Sequence, residues 1–298
     1  MTVMTLSKAL NEGLRSAMEA DPRVLLMGED IGTLGGVFRV TDGLAKDFGE
    51  ARVIDTPLGE AGIVGTAIGL AMRCYRPVCE IQFDGFIYPA YDQIVTQLAK
   101  MRNRSAGGTE LPVVIRLPFG GGIGAIEHHS ESPEAYFAHT AGLKVVTCSN
   151  PSDAYLMIQQ AIASNDPVIF FEPKRRYWDK AEVNPELKPG HADAPGLYEA
   201  QVVRPGHEAT LVAYGPMVKT CLSAAETAKA EDGRELEVID LRSLSPIDFR
   251  PVIDSVRKTG RLVVVHEAPR SFGLGAEIAA RVTEDCFYHL EAPVLRVT

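Results

Sequence analysis

The chain has 298 residues, 46% of them hydrophobic, which is enough for about two domains with cores of their own. Thirty lysines and arginines against 39 aspartates and glutamates leave a net charge of −9. A general binder of nucleic acid or anionic membrane is thereby excluded, because no basic excess remains to neutralise phosphates. The five cysteines, Cys74, Cys79, Cys148, Cys221 and Cys286, show no CxxC and no zinc-like grouping. Together with an amino terminus that lacks a charged-then-apolar signal and the absence of any apolar run of about 18 residues, this reads as a cytoplasmic protein with reduced thiols.

Residues 5–20 place Leu6, Leu10, Leu14, Ala17 and Met18 on one helical face. A short apolar strand follows at 24–28, then a helix at 42–48 and a strand at 52–55. Residues 57–71, Pro-Leu-Gly-Glu-Ala-Gly-Ile-Val-Gly-Thr-Ala-Ile-Gly-Leu-Ala, form an apolar helix that starts at Glu60. Gly62, Gly65 or Thr66, and Gly69 share a stripe of it at three- and four-residue spacing. Each interior glycine costs roughly 1 kcal/mol relative to alanine, so the stripe points to a backbone or flat ligand that comes very close. A dipole-favoured helix start with tight packing is the blander reading of Glu60. Further on come a buried strand at 77–82, a helix at 87–104, a strand at 112–117 and a helix at 133–139 with Ser132 as N-cap and Pro133 first. Strand 143–147, helix 151–163 starting at Asn150-Pro151, and strand 167–171 complete the first unit.

Residues 173–207 hold five prolines and three glycines with no sustained apolar period, and read as an inter-domain linker. A second unit starts at 208, with strands at 209–214, 235–240, 261–266 and 294–297 and helices at 216–231, 248–258 and 274–285. The expected architecture is two tandem three-layer α/β domains with mostly parallel sheets, over 1–172 and 208–298.

In such sheets ligands bind at the strand C-termini. Glu29, Glu60 and the pair His128-His129 follow strands in the first domain and suit acid–base work. Glu29-Asp30 could equally cap the next turn. The glycines at 120–124 lack GxGxxG or Walker spacing and make a poor phosphate cradle. His128, His129 and His139 lack the spacing of metal ligands, so no metal is assigned to this chain. Phe86, Tyr88, Tyr91, Tyr136 and Phe137 either flank a pocket or belong to the core. Lys174-Arg175-Arg176 reads as a solvated face, with contact to an acidic partner surface left open. No Gly-x-Ser-x-Gly elbow and no Cys–His pair is present.

Strings throughout the chain resemble the β subunit of the decarboxylase component of 2-oxoacid dehydrogenase complexes, of the transketolase-like thiamine diphosphate superfamily. They include Gly-Glu-Asp at 28–30, Asp-Thr-Pro-Leu-Gly-Glu-Ala-Gly-Ile at 55–63, Ala-Tyr-Asp-Gln-Ile-Val at 90–95, His-His-Ser-Glu-Ser-Pro-Glu-Ala at 128–135, Val-Ile-Asp-Leu-Arg-Ser-Leu at 238–244 and His-Glu-Ala-Pro at 266–269. Glu-Ile-Gln-Phe at 80–83 and Phe-Phe-Glu-Pro-Lys at 170–174 look closer to the branched-chain 2-oxoacid type than to the pyruvate type.

The resemblance implies a pyrimidine-binding domain followed by a transketolase C-terminal-like domain. It implies a heterotetramer of two α and two β subunits, with thiamine diphosphate held between them. Glu60 matches the glutamate that hydrogen-bonds the cofactor's N1′ and favours its imino form, and Phe86 matches an aromatic position near the pyrimidine. His129 matches the histidine of acyl transfer to the lipoyl group of the acyltransferase component; His128 departs from the pattern and has no assigned role. Glu29 matches an acidic residue proposed to couple the two active sites. Thr41-Asp42-Gly43, Phe83-Asp84-Gly85 and Glu231-Asp232-Gly233 do not fit the family's Gly-Asp-Gly metal element, so Mg²⁺ is expected on the α subunit. Relatives also tend to run a few dozen residues past Thr298, which bears on how the last domain packs against its partners. A pyruvate or acetoin enzyme is the alternative. A non-catalytic scaffold fits poorly with Glu60 and His129 both present.

Overall fold

The computed structural model describes residues 1–298. The first part of the chain runs β1 (Thr2–Thr5), α1 (Leu6–Ala20), β2 (Val24–Gly28), α2 (Leu44–Phe48), β3 (Val53–Asp55), α3 (Glu60–Met72) and β4 (Arg76–Glu80). It continues with α4 (Ala99–Arg104), β5 (Val114–Phe119), α5 (Glu134–Ala138), β6 (Lys144–Thr147), α6 (Pro151–Ala163) and β7 (Val168–Pro173). Then come β8 (Lys180–Val183), β9 (Gln201–Arg204), β10 (Ala209–Ala213), α7 (Met217–Asp232), β11 (Leu236–Asp240) and β12 (Ser243–Ser245). Helix α8 (Arg250–Thr259), β13 (Leu262–Val265), α9 (Leu274–Cys286) and β14 (Leu295–Val297) close the chain.

Most strands lie in two sheets. The larger has seven strands in the order β12-β6-β7-β5-β4-β2-β3, parallel except for β12. The smaller has five, β14-β13-β10-β11-β9, with only β9 antiparallel. Both are α/β sheets, as the alternating pattern requires. Strands β4, β5 and β7 are buried along nearly all their length, which is what helices on both faces impose. The five residues of the first helical stripe, Leu6 to Met18, are all buried. Thr5 caps α1 by accepting from the Lys8 N–H, and Asn150 caps α6 by accepting from Asp153.

Two helices differ from the sequence reading. In place of one helix over 87–104 there is a 3-10 turn at Asp84–Ala90, a π turn at Gln93–Leu98 and then α4. Pro89, which has no N–H to donate, lies in the 3-10 turn, and the π turn beyond it runs directly into α4. Helix α5 is only five residues long and is preceded by Pro133 at the cap, so Ser132 does not cap it. Four short strands escaped the pattern. Strand β8 pairs with β1, β9 edges the second sheet, and β12 leaves the second unit to pair with β6 of the first. These strands are too short to show a period in sequence.

One core joins the two units. Phe119, Leu143, Ile169 and Phe171 share an apolar cluster with Val212, Tyr214, Ile239 and Leu244. Each such side chain contributes about 1.5–3 kcal/mol by burial, so separating the units would expose a large apolar area. All five cysteines are free thiols, and only Cys74 is exposed. No helix is long and apolar enough to cross a membrane.

Candidate active site

The chain leaves β2 for β3 on one side of the large sheet and for β4 on the other. That reversal makes the C-terminal ends of β2 and β4 the switch point at which open α/β sheets bind ligands. Glu29 follows β2, Glu60 follows β3, Phe83 and Phe86 follow β4, His129 lies in the loop after β5, and Lys174 follows β7. All six therefore sit along one edge of the sheet, in neighbouring strand order.

The carboxylate half is open. Glu29 Oε1 accepts from the Gly59 N–H at 3.1 Å and so holds the start of α3, where Glu60 begins the helix. Burial pushes the Glu29 carboxyl up; the Gly59 hydrogen bond opposes this and the nearby charge of Glu60 adds to it. Gln82 ties the turn to the end of β4 by donating to the Glu29 carbonyl at 3.2 Å and to Asp30 Oδ2 at 3.2 Å. Asp55 accepts from the Gly32 and Thr33 N–H groups at 2.6 and 3.2 Å. The other face of α3 buries Ile63, Val64, Ala67 and Ile68 in the core shared with Ile87, Ala90 and Ile94. Its glycine stripe meets nothing of the kind. A Cβ at Gly59, Gly62 or Gly69 would find no atom within 4 Å, and at Gly65 only Gln93 Oε1 at 3.8 Å. Leu58, just before it, is 87% exposed. This chain spends helix stability on a flat surface and covers it with nothing of its own.

The histidine half is closed. The His129 ring stacks on Phe83 with centroids 3.9 Å apart at 11°, and meets Phe86 edge-on at 5.3 Å and 82°. Its Nδ1 is buried without a partner, so Nε2 is the ring edge left to accept or give a proton. Lys174, whose side chain is fully buried, pairs with the equally buried Asp84 at 2.6 Å and donates to the His129 carbonyl. Burial pulls the Lys174 amine down and pushes the Asp84 carboxyl up, and each partner opposes the other's shift. Beneath, Arg116 on β5 bridges Glu80 on β4 (2.6 Å) and Glu172 on β7 (2.7 and 2.9 Å), while the Tyr177 hydroxyl donates to Glu172 at 2.7 Å. Removing one member of such a buried group costs about 3–5 kcal/mol, because a charge is left uncompensated.

The second unit closes over this half. Arg175 pairs with Glu267 at 2.9 Å, and the Tyr214 hydroxyl donates to Glu134 Oε1 at 2.7 Å. Burial pushes Glu134 up to about 7 against the Tyr214 hydrogen bond, with the Glu267 charge adding to the shift. At Gly120 (φ +78°) a Cβ would lie 2.4 Å from Glu267 Oε2, and at Gly122 (φ +119°) 2.6 Å from Arg175 Cβ. Gly120 thereby lets the second unit approach, whereas Gly122 makes room for Arg175 just past β7.

The structure thus groups Glu29 with Glu60, and Phe86 with His129. His128 is exposed with φ +61°, and its carbonyl accepts from the Gly85 N–H at 3.1 Å. Phe137 is core, whereas Tyr88 and Tyr136 are partly exposed and meet edge-on at 6.2 Å. Lys174 corrects the reading of 174–176 as a solvated face: it is 2% exposed and paired. Only its partner, 90 residues away in sequence, could have revealed this. No group of three or more His, Cys, Asp or Glu side chains could hold a metal ion. A carboxylate beside an apolar, side-chain-free surface suits the pyrimidine end of a thiamine-type cofactor, but this donor set offers nothing for a metal-bound diphosphate.

Two family descriptions match the chain: the transketolase pyrimidine-binding domain over residues 2–179 and the transketolase C-terminal domain over 198–298. A "Pyruvate dehydrogenase E1 component subunit beta" from Leifsonia xyli subsp. xyli is 64% identical over 290 residues, covering 97% of this chain and 84% of that protein. A "3-methyl-2-oxobutanoate dehydrogenase subunit beta" from Mycobacterium tuberculosis is 54% identical, covering 98% and 83%. A "2-oxoisovalerate dehydrogenase subunit beta" from Pseudomonas aeruginosa is 44% identical, covering 100% and 87%. Among solved structures, a "Split gene transketolase, inactive beta4 tetramer" superposes with a TM-score of 0.78 at 21% identity, over 98% of this chain and 88% of that one, and shares the fold.

Proposed function

We propose, from the premise that this chain belongs to the family of 2-oxoacid dehydrogenase decarboxylase β subunits, that it works with an α subunit on a branched-chain 2-oxoacid. Thiamine diphosphate is shared between the two chains, with Mg²⁺ on the α subunit, and the acyl group passes to a lipoyl-bearing acyltransferase. One observation carries this reading: Glu60 starts a helix whose adjoining face is bare of side chains and open, beside the topological switch point of the sheet.

When bound, thiamine diphosphate supplies the electron sink for loss of carbon dioxide. Glu60 would hold the pyrimidine at N1′ and could exchange a proton there, and Glu29 holds the Gly59–Glu60 turn in place. Phe86 offers an aromatic wall. His129 presents Nε2 for proton transfer during acylation of the lipoyl group. A cytoplasmic setting suits the five free thiols.

The branched-chain assignment rests on the strings at 80–83 and 170–174, and on the relatives from Mycobacterium and Pseudomonas. A pyruvate substrate is favoured by the 64% identical relative. Co-purification of the native chain, with mass identification of its companion, should recover an α subunit. Substrate profiling of that assembly should give a kcat/KM for 3-methyl-2-oxobutanoate at least about tenfold above that for pyruvate. The opposite ratio makes it a pyruvate enzyme, and recovery without any α subunit overturns the division of labour.

A further inference from the structure

The loop after β5 has few regular hydrogen bonds of its own, yet His129 is held at three points. Its ring lies flat on Phe83 at 3.9 Å, its carbonyl accepts from Lys174 Nζ, and the preceding His128 carbonyl accepts from the Gly85 N–H at 3.1 Å. Phe83, Asp84 and Gly85 are consecutive, so all three holds lead to one short turn at the end of β4 or to the ion pair that anchors it. Lys174 and Asp84 are both fully buried, 2.6 Å apart, and Lys174 also lies 5.8 Å from the Phe83 ring centroid. Burying an isolated amine and carboxylate is costly, and a packed apolar pair of similar volume would serve stability as well or better. What an apolar pair cannot do is donate to the His129 carbonyl. Gly85 adds a steric condition: a Cβ there would sit 2.6 Å from His128 Cα.

We propose that Lys174 and Asp84 are positioning residues of the acyl-transfer step, fixing the His129 imidazole against Phe83 so that Nε2 stays aimed outward. The assignment rests on the role given to His129 above. The pair touches neither cofactor nor substrate; it acts through the backbone of the loop and the tilt of one ring. A displacement of about 1 Å in a reacting group is enough to cost on the order of a hundredfold.

Two variants test this. K174M/D84N removes both buried charges together, so that neither is stranded, and G85A pushes on the loop without touching the ion pair. In the isolated chain, imidazole carbon–proton NMR resolves the seven histidines, with His129 identified by its loss in H129A. Both variants should erase the upfield ring-current shift of His129 while leaving His266, in the second unit, in place. In the assembled tetramer, acylation of a free lipoyl domain should fall by about tenfold or more, and decarboxylation coupled to an artificial acceptor by less than about threefold. An unchanged His129 resonance in either folded variant overturns the proposal, as does an equal loss in both half-reactions. If K174M/D84N does not fold, K174Q/D84N, which keeps a neutral hydrogen-bonding pair but shortens the donor to the His129 carbonyl, decides by the same His129 readout. Should H129A itself acylate normally, the reading of His129 fails even where the ring-current result stands.

Discussion

The two halves of the candidate site are built by opposite means. Around His129 the packing is dense: Phe83 lies beneath, Phe86 at the edge and Lys174 on the backbone, and Glu267 of the second unit lies against Gly120 of the loop. Around the start of the Glu60 helix it is sparse. The helix turns a row of glycines to open space, and Leu58 stands 87% exposed beside it. Both halves lie on the same sheet edge, so position alone does not explain the contrast. On the roles proposed above, His129 meets a mobile acyl carrier and is fixed in advance by its own chain, whereas Glu60 serves a cofactor lying between two chains and is left uncovered until the second chain arrives.

The largest expected effect falls on the open half. Glu60→Gln is isosteric and forfeits only a helix-start charge worth about 0.3–1 kcal/mol, so the melting temperature should barely move. Decarboxylation by the tetramer should fall by at least about a hundredfold, since the amide cannot exchange a proton with N1′. A steady-state assay with an artificial acceptor measures it, and activity within about tenfold of the parent refutes the role.

The surface itself can be filled. A leucine at Gly62 meets no atom within 4 Å of its Cβ in this chain and gains roughly 0.5–1 kcal/mol of helix propensity. Gly62→Leu should therefore leave the isolated subunit as stable as before or slightly more so. It should weaken assembly with the α subunit by about five- to a hundredfold, the cost of overpacking a close interface. Sedimentation velocity across a concentration series reads this out; undiminished tetramer formation would show that the glycine face is not covered by a partner.

The smallest effect is one of pH slope and concerns the closed half. Burial holds Glu134 near 7, above its ordinary value of 4.5, so the folded chain binds this proton more tightly than the unfolded one. The stability it contributes is complete below pH about 4.5 and is lost as the pH rises to about 7. Glu134→Gln removes that titration. Denaturant unfolding at about pH 5 and about pH 8 should show the variant gaining relative to the parent at the higher pH. A difference between them that does not change with pH would mean that Glu134 is ionised throughout.

Much of this arrangement was legible in the chain before its structure. The alternation of strands and helices, the stripe from Leu6 to Met18, and the carboxylate ahead of the bare helix are all local patterns with a period. What stayed hidden is what depends on partners far apart. Lys174 looks like one of three surface cations until Asp84, 90 residues earlier, is placed beside it. Arg116 joins Glu80 and Glu172 across 36 and 56 residues, and no spacing in sequence marks such a trio. Helix 87–104 starts instead as a 3-10 turn that holds Pro89 and continues through a π turn, which no spacing in the sequence marks. The glycine at 120 had a meaning that only the second unit supplies, since Glu267 is what it makes room for, and Gly122 makes room for Arg175, just past the end of β7.

Strand β12 has a consequence for the order of events at the ribosome. It pairs with β6 from about a hundred residues further along, and it forms one edge of the large sheet. Until Ser245 has emerged, β6 presents an unpaired row of N–H and C=O groups to whatever lies nearby. The amino-terminal unit therefore cannot finish before the first part of its successor, through Ser245, has emerged, and such long-range pairing slows folding. A nascent chain arrested before this strand would carry a sticky edge, making this stage of synthesis the one at which a companion chain or a chaperone has most to protect.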